Sequence, residues 1–490
     1  MDWWPFAWVA FAPALIALHD GYRRHGMRRA CLIGGTFGFL SGAGKVYWIT
    51  ETVVSYGGLD WILGLFSMAI VALLVGSYTF IFCVYAARAD WRRAAFPFLA
   101  AGLWTALEYL QTYLFTGFPW ELLGYSQYRV LPLIQIARVT GVYGVGFLVV
   151  LVNVALAMCL LAAREGLPWK PPIRALGLAC LALVGTAGYG WLTLSRMRSL
   201  EGQTPPVRVA VVQGSIEQGM KWSEAKLQHT VDTYATLTRS ALKHRPELVV
   251  FPETAMTFYL ESPVYKPFAH QVHQLTEEAG VPLLTGALGY KPGENRVIYN
   301  SAFLLAPKSG VVGRYSKMHL VPFGEYLPMS SIFFWLKGLT DDIGVLTPGS
   351  ELAVMPLPGL EMRLGTVICY ESIFPDLVRQ FVVNGANVLV VMTNDAWFGV
   401  SSAPMQHFSM AVLRAVENGV PVIRAANTGI SGYIAATGRI YGMTPLLAAT
   451  TTVGEVYPGR GAPTPYTRYG DVFALACCLV ALAAVITVNR

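Results

Sequence analysis

The sequence predicts a polytopic α-helical membrane domain joined to an α/β extracytoplasmic domain, and three observations carry that prediction. Of the 490 residues, 54% are hydrophobic and 13% charged, with a mean hydropathy of +0.48. A soluble chain carries about 25% charged residues. Seven apolar stretches approach the ~20 residues that a bilayer crossing needs: 3–18, 30–50, 58–87, 95–113, 139–163, 173–194 and 471–489. Between the sixth and seventh lies a long segment of ordinary polarity with short β-branched runs. The expected domains are therefore 1–198, with about six spans, 199–470, and a final span at 471–490.

Charge is distributed to match. Residues 199–470 hold 20 basic and 20 acidic residues, so the remaining 16 basic and 9 acidic residues supply the whole net charge of +7. The excess belongs to the apolar part, where Lys and Arg set topology. Arg23, Arg24, Arg28 and Arg29 follow the first span, Arg88, Arg92 and Arg93 the third, and Arg164, Lys170 and Arg174 the fifth. The loops between carry little positive charge. With the basic loops in the cytoplasm, residues 199–470 lie outside. Met1-Asp2-Trp3-Trp4 offers no basic start and no cleavage site, so no signal peptide is expected, and Trp3, Trp4 and Trp8 read as interfacial anchors. The composition excludes a disordered chain, a nucleic-acid binder working through basic patches, and an ordinary cytosolic enzyme.

In the polar segment, β-branched runs recur at 207–213, 248–253, 282–288, 301–306, 364–370, 387–394 and 420–426, with a helical pattern at Glu224–Lys243. Near-continuous apolar strands belong to sheets covered on both faces, hence a layered α/β or α+β domain.

Six of the seven cysteines fall in apolar spans; Cys369 stands alone in the outer domain. An unpaired thiol in an oxidising compartment is either a buried strand residue or a reactive group. It ends the run Leu364–Ile368 and precedes Tyr370-Glu371. Val249–Phe251 likewise runs into Pro252 and Glu253, and Lys317 precedes the loop Pro322-Phe323-Gly324-Glu325.

In that order, Glu253, Lys317 and Cys369 resemble the Glu-Lys-Cys triad of the nitrilase superfamily of carbon-nitrogen hydrolases, whose fold is an α-β-β-α sandwich. Phe251-Pro252-Glu253-Thr254, Lys317–Glu325, Ile368–Glu371, Thr393–Gly399, Val212-Gln213-Gly214 with Lys221-Trp222, and Thr116–Trp120 with Gly124–Gln127 are similar to the apolipoprotein N-acyltransferase family of bacterial inner membranes. The resemblance implies Cys369 as nucleophile, Glu253 as proton acceptor and Lys317 as oxyanion stabiliser. It implies a phospholipid acyl donor, a thioester acyl-enzyme, and as acceptor the α-amino group of an apolipoprotein's N-terminal diacylglyceryl cysteine. It also implies an inner-membrane enzyme with its catalytic domain in the periplasm. That family has eight spans, one more than the seven expected here.

Glu325, Tyr370 and Glu371 are expected to support the triad, with Glu325 alternatively a loop ion pair. Trp222, Phe323 and Trp397 are expected at the substrate, and Ile332–Leu336 as a bilayer-dipping lid or a core helix. His319 reads as a bystander, Asp395 as a cap, Arg414 with Glu417 as a surface pair, and Glu108, in a span, as functional by default. No HExxH, paired CxxC or phosphate loop is present, so no metal or cofactor is expected. No heptad calls for a partner, so a monomer is expected. The rival readings are a membrane-tethered amidase, in which water resolves the thioester, and a transporter or receptor with a degenerate sandwich.

Overall fold

The computed structural model describes residues 4–55, 57–218, 224–291, 297–326, 328 and 346–488. The chain divides into two compact units, 1–196 with 464–490, and 197–463.

The first unit is helical. Its longest element, Phe11–Val46, breaks helical geometry at Gly26 (φ 71°, ψ −166°), between the Arg23-Arg24 and Arg28-Arg29 pairs. The chain turns back on itself there, with the Phe11 and Phe37 rings 5.5 Å apart, so the element is two helices, one for each of the first two expected spans. Its second half lies against Trp61–Arg88 through small residues: a Cβ on Gly38 would sit 2.5 Å from the Gly76 carbonyl oxygen, and one on Gly42 2.2 Å from that of Ala72. Backbones can approach this closely only without side chains between them. Further helices run over Phe96–Tyr113, Val142–Glu165, Lys170–Glu201 and Val472–Val488. Among the described residues, Trp61–Arg88, Val142–Glu165 and Lys170–Glu201 are long and apolar enough to cross a membrane, and Val472–Ile486 is a shorter apolar helix. Glu108 is 3% exposed and its Oε1 accepts from the Leu123 N–H at 2.6 Å.

The second unit is built on two sheets. Its strands are β1 (Val207–Gln213), β2 (Leu248–Val250), β3 (Met256–Tyr259), β4 (Leu283–Lys291), β5 (Val297–Ala306) and β6 (Gly310–Ser316). They continue with β7 (Val354–Pro356), β8 (Arg363–Ile368), β9 (Val388–Thr393), β10 (Val422–Ala426), β11 (Gly432–Ile434), β12 (Ile440–Tyr441) and β13 (Thr450–Val456). One sheet runs β13-β1-β2-β4-β5-β6, with β3 on β4; the other runs β12-β11-β10-β9-β8-β7. The central strands β1, β2 and β4 are parallel, as are β8, β9 and β10; β3 is also parallel to β4, and the other outer pairings are antiparallel. Leu227–Leu242 and Lys266–Ala279 pack on the first sheet, Pro375–Val383 and Ala403–Asn418 on the second. The sheets meet through β1 with β10 and β5 with β8. The result is the expected α-β-β-α sandwich.

The runs that were legible as strands are the buried ones: every residue of β9 and β10 is buried. The short or half-exposed strands β3, β6, β7, β11, β12 and β13 carry no comparable apolar run. The expected helix at Glu224–Lys243 is a 3₁₀ turn at Glu224–Lys226 followed by Leu227–Leu242.

Candidate active site

The parallel strands of the two sheets end together, and the chemistry collects at their C-terminal ends. β2 runs through Phe251-Pro252 into Glu253; β6 is followed at once by Lys317; β8 is followed at once by Cys369; β9 is followed by Asn394. Two of the turns are strained, with Thr254 at φ 44° and Cys369 at φ 53°. A non-glycine residue in the left-handed region persists only where its surroundings enforce it. At Glu253 the enforcement is visible. Gly286 on β4 lies beneath it, and a Cβ there would come within 2.5 Å of the Pro252 carbonyl oxygen and the Thr254 nitrogen.

Glu253 bridges the two sheets. Its Oε1 accepts from the Asn300 side-chain amide and its Oε2 from the Asn394 backbone N–H, both at 2.7 Å. Lys317 Nζ lies 3.6 Å from Glu253 Oε1 and donates to Glu325 at 2.9 Å. Asn300 also donates to Glu325, at 3.1 Å, and the Val321 N–H donates to its second oxygen at 2.8 Å. Lys317 is 1% exposed. Burial alone would lower its pKa, but the carboxylates Glu325 and Glu253 prevail and hold it well above the usual ammonium range. It is a buried cation at neutral pH.

The Cys369 thiol feels the opposite balance. Burial raises its pKa first, Glu253 raises it further, and Lys317 pulls it down only in part. The thiol is therefore protonated at neutral pH and needs a base to become a nucleophile. Glu253 and Lys317 are the charged groups acting most strongly on it, so the three expected residues are brought together.

Of the supporting residues, Glu371 is fully buried and accepts four hydrogen bonds. Tyr315 Oη donates at 2.7 Å, the Met318 and His319 N–H groups at 2.7 and 3.1 Å, and the Ile368 N–H at 2.7 Å. It ties the loop after Lys317 to the turn before Cys369. Burial pushes its pKa up, against the pull of Ile368, Tyr315, Lys317 and His319. Tyr370 is buried, 5.1 Å from the Phe374 ring and 5.6 Å from the His319 ring. Phe323 is 44% exposed with φ 63°, and Trp397 is partly exposed in the turn Asp395–Phe398. Trp222 and Ile332–Leu336 lie outside the described residues.

Two expectations are corrected. Arg414 and Glu417 are not a surface pair: both side chains are wholly buried, 3.0 Å apart. The amphipathic spacing of their helix hid the fact that it is covered on both sides. Asp395 is more than a cap: it is 1% exposed, with its carboxylate 2.8 Å from Arg424 Nη2 and 3.1 Å from His407 Nδ1. Sequence reasoning missed Asn300, Ser372, His407 and Arg424. None sits in a recognisable spacing with the triad, and only the fold joins them. Among the described residues, His19, Asp20 and Glu165 are close enough to share a cation, but Arg23 and Arg164 already pair with those carboxylates.

Two family profiles agree with this division of the chain. A family profile described as "Carbon-nitrogen hydrolase" matches residues 208–466, and one described as "Apolipoprotein N-acyltransferase N-terminal domain" matches residues 1–155. The apolipoprotein N-acyltransferase of Geobacter metallireducens is 42% identical over 98% of this chain and 90% of its own length. That of Chlorobaculum tepidum is 32% identical over 99% of this chain and 92% of its own. A solved amidase from Nesterenkonia sp. aligns with a TM-score of 0.40 and 20% identity, covering 54% of this chain and 94% of that one. The chain belongs to the apolipoprotein N-acyltransferase family and is an acyl-transferring membrane enzyme.

Proposed function

Given that membership, we propose that the chain moves a fatty acyl group from a phospholipid to the N-terminus of a diacylglyceryl apolipoprotein, through a thioester on Cys369. The observation that carries the reading is the convergence of a buried ammonium, a carboxylate and a protonated thiol at the ends of three strands.

In the first half-reaction Glu253 takes the thiol proton as the sulfur attacks the ester carbonyl. Negative charge developing on the carbonyl oxygen is stabilised by Lys317, whose buried charge is fixed in advance. The C–O bond breaks, and Glu253 returns its proton to the departing lysophospholipid alkoxide. In the second, the acceptor amine attacks the thioester, its proton passes to Glu253, and the C–S bond breaks. The departing sulfur recovers that proton. Asn300 and Asn394 hold the Glu253 carboxylate in line, and Glu325 aims Lys317. Phe323 and Trp397 are surfaces for the acyl chain, as is Trp222. Apolar helices precede and follow the catalytic unit in the chain, so enzyme and both lipid-anchored substrates meet in two dimensions. We place the enzyme in the bacterial inner membrane with this unit on the periplasmic side, which agrees with the basic loops of the first unit.

Intact-protein mass spectrometry after incubation with phospholipid tests the reading. An acyl adduct should form on Cys369, be absent from Cys369→Ala, and be cleared by a diacylated N-terminal cysteine peptide. No adduct would refute the thioester. An adduct cleared as fast by water alone would instead mark an amidase.

A further inference from the structure

Around the backbone of the nucleophile lies a wholly buried polar chain that the acyl-transfer scheme does not use. The Ser372 hydroxyl donates to the Cys369 carbonyl at 2.8 Å. His407 Nε2 is 2.8 Å from Ser372 Oγ and 3.2 Å from that same carbonyl oxygen. On the other edge of the imidazole, Arg424 Nη2 lies 3.1 Å from Nδ1 and 2.8 Å from Asp395 Oδ2. The Thr393 hydroxyl donates to Asp395 Oδ1 at 2.8 Å. Ser372, His407, Asp395 and Arg424 are each at most 1% exposed.

The proton positions follow from the partners. Nδ1 faces both Arg424 Nη2 and Asp395 Oδ1, each at 3.1 Å, whereas Nε2 faces two oxygens, the Cys369 carbonyl and the Ser372 hydroxyl that already donates to it, so Nε2 carries a ring proton. With the proton on Nδ1 alone, the Nε2 lone pair would face the Cys369 carbonyl oxygen, acceptor against acceptor. Burial, followed by the Arg424 charge, lowers the His407 pKa and keeps the ring neutral. Nε2–H then holds Ser372 Oγ and the carbonyl together.

We propose that His407, locked by Arg424 and Asp395, is a positioning residue for acyl transfer: with Ser372 it anchors the carbonyl of Cys369 and thereby orients the Cys369–Tyr370 peptide as an oxyanion donor. The peptide is planar and trans, so its N–H points opposite to its C=O. A carbonyl pinned into the core turns the Tyr370 N–H outward, to the side where the thiol meets the acyl group. The same grip accounts for Cys369 being held at φ 53°, a conformation that a non-glycine residue keeps only when its surroundings impose it. A peptide left to rotate would lose both the donor and the sulfur's placement.

The inference rests on Cys369 being acylated, and its test separates the two ideas by comparing two reactions of one sulfur. Acylation passes through an oxyanion; alkylation by iodoacetamide does not. Wild type, His407→Leu, His407→Gln and Ser372→Ala are each measured for acylation by phospholipid, acylation by a p-nitrophenyl ester, and alkylation. His407→Leu should lose about 100-fold in acylation by either ester, the loss expected for one oxyanion donor, while alkylation stays within about threefold. Glutamine can place an N–H near the position of Nε2, so His407→Gln should recover most of the loss. Ser372→Ala should show the same selective deficit, and it carries the test if the leucine variant fails to fold. Acylation unchanged in these variants, or acylation and alkylation falling in parallel, would overturn the inference. Wild type that takes an acyl group from the p-nitrophenyl ester but not from phospholipid would overturn the proposed donor and leave this inference standing.

Discussion

Replacing Glu371 tests whether the site is assembled by one buried carboxylate. Its four donors come from three places in the chain: Tyr315 at the end of β6, Met318 and His319 in the next loop, and Ile368 at the end of β8. Alanine would orphan all four. A buried donor left without an acceptor costs about 1–3 kcal/mol, so the sum is about 4–12 kcal/mol, comparable to the whole stability of a domain, about 5–15 kcal/mol. Glu371→Ala should not yield a folded catalytic unit. Glutamine is more informative. With its oxygen at the Oε1 position it keeps three donors, more weakly, and turns an NH₂ toward the Ile368 N–H. The orphaned Ile368 donor and three bonds that lose their charged acceptor cost roughly 4–6 kcal/mol. Relief from burying a carboxylate offsets part of this, leaving about 3 kcal/mol. At about 2–4 °C per kcal/mol for a large domain, Glu371→Gln should melt roughly 10 °C below wild type in detergent. Its acylation of Cys369 should fall by more than about 100-fold, since the loop carrying Lys317 is no longer tied to the nucleophile's turn. Tyr315→Phe removes one donor of the same set, so the double variant should lose less than the sum of the singles. Glu371→Gln with wild-type melting and wild-type acylation would refute the reasoning.

Two other outcomes follow from the charges. Glu253 raises the pKa of the Cys369 thiol, so Glu253→Gln should shift the alkylation profile of Cys369 to lower pH while abolishing acylation; a shift to higher pH would contradict the assigned electrostatics. Asp395 is pulled from an ordinary 3.8 to about 2: burial alone would raise it, but the Arg424 guanidinium, aided by the Thr393 hydroxyl that donates to it, outweighs that effect. A depressed carboxylate stabilises the fold above its unfolded value and loses that contribution as pH falls through its folded one. The difference of about 1.8 units corresponds to about 2 kcal/mol. The stability gap between wild type and Asp395→Asn should therefore narrow by about that amount between neutral pH and pH about 2, as read by denaturant titration; a constant gap would remove the carboxylate from the linkage.

What the amino-acid order disclosed, and what it withheld, divides along a physical line. Glu253, Lys317 and Cys369 sit at or just beyond the ends of buried strands, and such strands announce themselves as apolar runs that stop at a turn. Their alignment across two sheets needs no further information than the superfamily's fold. The polar chain around the nucleophile's backbone obeys no such rule. His407 lies in the helix Ala403–Asn418 and Arg424 in β10, and each reads locally as a polar residue on an amphipathic element. Both are buried because each satisfies the other's hydrogen bonds through Asp395, and that satisfaction is a property of packed layers rather than of spacing. The same reason misplaced Arg414 and Glu417, whose three-residue separation is as good for a core pair as for a surface one. Burial of charge is decided by partners from distant segments, so a sequence can show where a nucleophile emerges well before it can show what holds its backbone. The surrounding polar core is then where the fold's stability and the site's geometry become one quantity. A substitution at Glu371 should accordingly be felt in melting temperature and acyl transfer together, whereas one at His407 should separate acylation of Cys369 from its alkylation.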